Sequence, residues 1–417
     1  MSQPSYKRWQ MQRIQQALKT RRVLILAGPR QCGKTTLAKE LASSNTIYRT
    51  LDDVTLLEAA QADPRGFVQH GNELMIIDEI QKAPILLQAI KQDVDTNPAY
   101  GRFLLTGSAN IQSLPGVTES LAGRVRKIRL RPLAQGEIFH QPPSFIKRIF
   151  SKSLNSFKIE MANPSHNKRT YLEEAFYGGY PEARTLDKKE MRRWHIDYLE
   201  ALFERDLKDI VHIRRHDSMK ELLHAFSSWS SKFMDVAAIG SGLSLSRQTI
   251  ESYRNALEAL YLIERVKPWS KTDYDRVGKQ DKTFMTDTGL MSSVLQWNID
   301  KIELDGEKNG KLLETFVFNQ LSALLEAQED AYQMYHYRDR EQREIDFLIE
   351  HEDGSIVGIE VKASSTVSRE SFKHLKWFQE KMVHDFSFTG IVLYTGEQAV
   401  SFGENMWAVP ICAMWST

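Results

Sequence analysis

Residues 28–35 read Gly-Pro-Arg-Gln-Cys-Gly-Lys-Thr, a full match to the phosphate-wrapping pattern G-x-x-x-x-G-K-[ST]. The chemistry demands these residue types. Gly28 and Gly33 let the backbone turn, so that the loop of Gly28, Pro29, Arg30, Gln31, Cys32, Gly33, Lys34, Thr35 and Thr36 surrounds a nucleotide with converging N–H groups. Lys34 supplies a catalytic cation for the β- and γ-phosphates, and Thr35 offers a hydroxyl to Mg²⁺. The flanks agree: the apolar run Val23–Ala27 predicts a strand before the loop, and residues 36–42 predict a helix whose positive end faces the phosphates. ATP and Mg²⁺ are the implied cofactors. Cys32 sits beside that helix N-terminus, where a thiolate is favoured, but position 32 is a free slot of the motif, so it is either a harmless filler or a reactive thiol that bound ATP would protect.

A second apolar run, Leu74–Ile77, ends in Asp78-Glu79. Asp78 is placed to hold the water shell of Mg²⁺. Glu79 is placed to orient and deprotonate an attacking water. A third run, Phe103–Thr106, leads into Gly107-Ser108-Ala109-Asn110, where Ser108 or Asn110 could touch the γ-phosphate or the water; a plain Gly-Ser turn is the alternative. Arg124 follows a helix-like stretch and is either a γ-phosphate ligand on a neighbouring subunit or an ordinary surface arginine.

The tail holds another constellation. Ile345-Asp346-Phe347 and Val357-Gly358-Ile359-Glu360-Val361-Lys362 read as two strands of a hairpin with period two. That pairing brings Asp346, Glu360 and Lys362 to one face, and Glu314, near the start of a helix, could add a carboxylate. Such a set could hold Mg²⁺ for phosphodiester cleavage. The other account is a hairpin with charges on its solvent side.

Behind these residues the chain divides into an α/β front, a helical middle and an α/β tail. Continuous apolar strands in the front predict a parallel sheet buried on both faces. The expected units are residues 1–140, a basic linker or insertion at 141–170, a helical region at 171–280 and the tail at 281–417. Within the middle, a helix at 234–243, an N-cap at Ser246, and Ile250, Tyr253, Leu257 and Leu260 at helical spacing outline a helix-turn-helix. Residues 263–268 would be its wing. Arg247, Glu251, Arg254 and Glu258 make the outer face nearly neutral, which grips phosphate poorly. Over 417 residues, 55 Lys+Arg balance 54 Asp+Glu, so no whole-chain charge points to nucleic acid. Two distant cysteines imply neither a disulfide framework nor a zinc site. No apolar run reaches membrane-spanning length, and the start lacks a secretion signal, so a cytoplasmic protein is expected.

The segments Gly-Pro-Arg-Gln-Cys-Gly-Lys-Thr-Thr, Ile-Ile-Asp-Glu-Ile-Gln, Leu-Thr-Gly-Ser and Ser-Leu-Ala-Gly-Arg-Val resemble the bacterial and archaeal AAA-type ATPases that carry a C-terminal domain of unknown function. Phe-Tyr-Gly-Gly-Tyr-Pro-Glu at 176–182, Glu204-Arg205-Asp206-Leu207, and the helix bearing Tyr253, Leu257 and Tyr261 resemble the middle region of that family. The resemblance implies a five-stranded P-loop core, a winged helix and a restriction-endonuclease-like tail. It also implies Ser108 as a sensor and Arg124 as a finger acting in trans within a homo-oligomer. DNA or protein are the partner classes it leaves open.

Overall fold

Branched apolar residues at consecutive positions build the first sheet. The computed structural model describes residues 6–43, 45–107, 123–151, 166–205, 216–272, 280–383 and 387–416. Helix α1 (Gln10–Leu18) leads to β1 (Val23–Ala27), α2 (Lys34–Leu41), β2 (Thr46–Thr50), α3 (Val54–Ala62), α4 (Pro64–Val68), β3 (Leu74–Asp78), α5 (Leu86–Thr96), β4 (Phe103–Gly107) and β5 (Val125–Arg129). These strands form a five-stranded sheet in the order β2-β3-β4-β1-β5, with every neighbour parallel. Successive side chains go to opposite faces. Val23, Ile25, Ile77 and Leu105 enter one core with α4 and α5, while Leu24, Leu26, Ile76 and Leu104 enter another with α1 and α2. Edge strands β2 and β5 are only half-buried and read Thr-Ile-Tyr-Arg-Thr and Val-Arg-Lys-Ile-Arg. Parallel direction gathers the C-terminal ends of β1, β3 and β4 at one rim, which positions the site.

Beyond β5 come α6 (Gln135–Ile138), α7 (Phe145–Phe150), α8 (Lys168–Tyr177), α9 (Lys188–Arg205) and α10 (His216–Ser228). The linker expected at 141–170 is therefore partly core. Phe145, Ile146 and Ile149 of α7 are fully buried, because they recur on one helical face and pack with α8 and the tail. The middle continues through β6 (Lys232–Phe233), α11 (Val236–Leu243), α12 (Arg247–Ala259), β7 (Ile263–Pro268) and β8 (Lys282–Met285). Asp235 caps α11 by accepting from Ala237 and Ala238 N–H, and Ser246 caps α12 by accepting from Thr249 N–H at 3.1 Å.

The tail runs α13 (Thr288–Val294), α14 (Ile299–Leu304), α15 (Gly306–Glu326), β9 (Tyr332–Arg338), β10 (Glu344–His351), β11 (Ile356–Lys362), α16 (Lys373–Lys381), β12 (Phe388–Tyr394), β13 (Val400–Ser401) and β14 (Met406–Pro410). One nine-stranded mixed sheet, in the order β13-β14-β12-β11-β10-β9-β7-β8-β6, joins it to the middle. The expected division at residue 280 runs through this sheet, since β7 pairs in parallel with β9 through Lys267–Tyr335 and Pro268–His336. Charges tie the two sheets together. Arg131, just past β5, donates to Glu264 of β7 at 2.8 Å and to Glu326 of α15 at 2.9 Å. Burial alone would lower the pKa of that guanidinium, but the two carboxylates outweigh it and raise it. Among the described residues, no helix is long and apolar enough to cross a membrane.

Candidate functional site

The loop after β1 folds as its glycines require. A Cβ at Gly28 would lie 2.1 Å from the Leu130 carbonyl oxygen, and Gly33 has φ +99°, a conformation L side chains rarely adopt. Beneath the loop, buried Arg8 clamps it by donating to Cys32 O at 2.6 Å, to Arg131 O at 2.6 Å and to Glu137 Oε1 at 3.0 Å. Lys34 opens α2, and its Nζ donates to the Gly28 and Pro29 carbonyls at 3.0 and 2.6 Å, so it lies folded over the loop. Thr35 donates to Asp78 Oδ2 at 2.9 Å. These two hard oxygen donors suit Mg²⁺, which keeps most of its waters and needs few carboxylates.

Asp78, 1% exposed at the end of β3, also accepts from Tyr48 OH at 2.9 Å and from the Thr106 hydroxyl. The same Thr106 oxygen accepts from Glu79 N–H at 3.2 Å. Glu79 itself has φ +60°, rare for a residue with a Cβ, and its carboxylate accepts from Gln81. Burial raises the Glu79 pKa, and Lys34 opposes the rise. Lys34, Thr35 and Glu79 line a cleft of about 470 Å³ with Arg30 and Gln31, and α9 roofs it with Trp194, Asp197, Tyr198 and Arg205. Trp194 and Tyr198 stack with centroids 5.4 Å apart and planes 2° from parallel. Tyr198 also accepts from buried Tyr180 OH at 3.2 Å.

Sequence reasoning brought together Lys34, Thr35, Asp78 and Glu79, and the fold does so. The Cys32 side chain is a correction. It is fully buried, with Sγ 3.4 Å from Leu130 O and turned away from the cleft, so only the backbone of Cys32 belongs to the loop. Ser108 and Asn110 lie outside the described residues. Arg124 sits at the N-terminal end of β5, at the opposite rim from its own cleft, and pairs with Asp95. Thr106, Tyr48, Arg8 and Arg205 were missed. Thr106 had a signal, a hydroxyl ending an apolar strand, and Arg205 lay in the Glu204-Arg205-Asp206-Leu207 segment with no chemistry assigned to it; Tyr48 and Arg8 belong to no motif and meet the site only through the fold.

The tail residues also converge. Strands β10 and β11 pair antiparallel, with Phe347 opposite Ile359. Asp346 Oδ2 accepts from Val361 N–H at 2.8 Å, and Lys362 donates to Glu360 Oε2 at 3.0 Å. The cluster is not on a solvent face: Glu360 is 6% exposed. Burial first, then nearby Asp346, pushes the pKa of both Glu314 and Glu360 up to about 8. One member was unforeseen. Lys282 of β8, 1% exposed, places Nζ 2.6 Å from Glu314, 2.7 Å from Glu344 and 3.5 Å from Asp346. Among the described residues, no group of three or more His, Cys, Asp or Glu side chains is arranged to hold a metal ion. With the Lys282 ammonium set against Glu314 and Asp346, the cluster as it stands does not fit the implied nuclease metal.

Fold and cleft together are those of a P-loop nucleotide-binding domain. Residues 20–139 match the family model described as an AAA domain. Two models described as domains of unknown function match residues 168–301 and, for DUF4143, 309–414. An uncharacterized protein of Mycobacterium tuberculosis is 26% identical over 402 residues, covering 95% of this chain and 82% of that protein. An uncharacterized protein of Mycobacterium bovis matches with the same figures. Among solved structures, the Thermotoga maritima RuvB Holliday junction branch migration motor is 19% identical, with a TM-score of 0.28, covering 63% of this chain and 90% of that one. A Pyrococcus horikoshii signal transduction ATPase with a tetratricopeptide repeat sensor is 14% identical, with a TM-score of 0.25. The alignment covers 78% of this chain and 48% of that one, so this chain spans about half of that protein's length.

Proposed function

We propose that this chain hydrolyses ATP and uses the nucleotide state of the cleft to set the position of α9. The observation that supports it is the closed set of contacts Thr35–Asp78–Thr106–Glu79 under a roof belonging to the middle region. Lys34 would leave the Gly28 and Pro29 carbonyls for the β- and γ-phosphates. Thr35 and Asp78 would hold Mg²⁺, which supplies charge neutralisation to those phosphates. Glu79 would orient the attacking water and take its proton, while Thr106 fixes the backbone that aims it. Arg30 and Arg205 both line the cleft, so a γ-phosphate bound under α9 would face them and its gain and loss would be felt by the roof.

The tail would serve as a scaffold joined to the middle by a common sheet, because a lysine ammonium stands among its carboxylates. The outer charges of α12 support the same reading: Arg254 pairs with Glu251, and Arg265 of β7 pairs with Glu258. The test is phosphate release from Mg-ATP by the full chain, alone and with linear or branched DNA. Turnover that DNA leaves unchanged supports a nucleotide switch working on other partners. Strong stimulation by DNA would move the assignment to a DNA-acting motor, and failure to bind or hydrolyse ATP would overturn the proposal.

A further inference from the structure

The acidic cluster of the tail already contains a cation. Lys282 Nζ lies within ion-pair distance of Glu314 Oε1, Glu344 Oε1 and Asp346 Oδ1, three carboxylates from α15 and β10. The other Asp346 oxygen is taken by the Val361 N–H, and Glu360 Oε2 by Lys362. Mg²⁺ held by Glu314 and Asp346 would compete for the oxygens that face Lys282, at about 2.1 Å in near-octahedral array with waters, although Glu360 Oε1 is buried without a hydrogen-bond partner. An ion there would lie beside Lys282 Nζ, and two like charges a few ångströms apart repel strongly in a buried site.

Nor is Lys282 a side chain that swings aside easily. Its backbone is clamped on both sides, opposite Val266 of β7 and Phe233 of β6. Its ammonium passes the rings of Phe233 and Phe284 at 5.7 and 5.8 Å. Moving it out would break its ion pairs and expose a charge inside a packed sheet.

We infer that the Lys282 ammonium takes the place of a divalent cation in the tail, which makes the cluster a metal-free hub tying β8 to α15 and β10. The residues that look like a nuclease centre then act as a clamp between the middle and the tail.

Mn²⁺ is the probe. Its free-ion EPR signal is followed as the full chain carrying Asp78→Asn, which removes the metal site of the nucleotide cleft, is titrated without nucleotide. The same titration is run with Asp346→Asn added. Neither chain is expected to bind Mn²⁺ up to millimolar concentration. Lys282→Met in the Asp78→Asn chain should create one Mn²⁺ site, and adding Asp346→Asn should abolish it. Binding by the Asp78→Asn chain that Asp346→Asn removes would overturn the inference. So would a folded Lys282→Met chain that gains no site. If Lys282→Met does not fold, the first pair of titrations decides the question alone.

Discussion

Thr35 donates its hydroxyl to Asp78 Oδ2 at 2.9 Å, which joins the first turn of the helix after the phosphate loop to the end of β3. This one contact reflects the parallel register of the sheet. Strands β1, β4 and β3 are neighbours, so a loop leaving β1 and an acid ending β3 meet at the same rim across Thr106 of β4. Tyr48 of β2 closes the other side of Asp78. Side chains from α2, β2 and β4 thus converge on one carboxylate at the end of β3, and each prediction about hydrolysis follows from what they hold in place.

Lys34→Ala should abolish tight ATP binding, because it removes the ammonium that the loop aims at the β- and γ-phosphates. Glu79→Gln should bind ATP but turn over slower by a factor on the order of 10² or more, the usual share of a positioned base. Calorimetry and phosphate release separate the two effects. Burial raises the Glu79 pKa, and a protonated base cannot accept a proton. The acid limb of the rate profile should therefore lie above the ordinary glutamate value of about 4.3. A Glu79→Gln chain with the wild-type rate would remove Glu79 from the mechanism.

Thr106→Val keeps the shape of β4 but takes a donor from Asp78 and an acceptor from Glu79 N–H. Leaving buried polar groups unpaired costs about 1–3 kcal/mol. Both stability and turnover should fall, whereas Thr106→Ser should restore both. A Thr106→Val chain with unchanged phosphate release would show that Glu79 is aimed by other means.

The phosphate loop and Asp78-Glu79 were legible because their chemistry lies in contiguous residues. The parallel core was legible in the same way, through β1, β3 and β4. Edge strands β2 and β5 were not, since half-buried strands carry Thr, Arg and Lys and show no apolar run. A motif fixes the backbone of position 32 and not the direction of its side chain, so the burial of Cys32 against Leu130 could not be foreseen. Asp346, Glu360 and Lys362 were legible from strand alternation. Lys282 was not, because its partners lie far along the chain and only the continuity of β8 with the tail sheet brings them together.

Arg124 lies at the far rim from its own cleft, so any role in hydrolysis must be on a neighbouring chain. Its pairing with Asp95 would have to open for that. Activity should then rise with protein concentration. A mixture of Arg124→Ala and Lys34→Ala chains should recover part of the activity that each lacks alone, since one mixed interface pairs an intact loop with an intact arginine. Mixed oligomers that form and stay inactive would leave Arg124 a surface residue.

The tail cluster should make stability depend on pH in the direction opposite to ordinary carboxylates. Burial and the charge of Asp346 raise Glu314 and Glu360 to about 8 in the fold. An unfolded glutamate titrates near about 4.3. Between these values the folded chain binds more protons than the unfolded one, so unfolding becomes easier as pH rises. The stabilisation is fully present below the unfolded value and is lost as pH climbs through about 8. Lys282 and Lys362 oppose the rise at Glu314 and Glu360 without reversing it. Glu314→Gln should therefore unfold at nearly the wild-type temperature near the unfolded glutamate value of about 4.3, and at a higher temperature than wild type at neutral and mildly alkaline pH. Thermal melts across that range, read from the tail by tryptophan fluorescence, make the comparison. A wild-type chain that gains stability from neutral to alkaline pH, with Glu314→Gln following it in parallel, would mean that both glutamates are ionised in the fold.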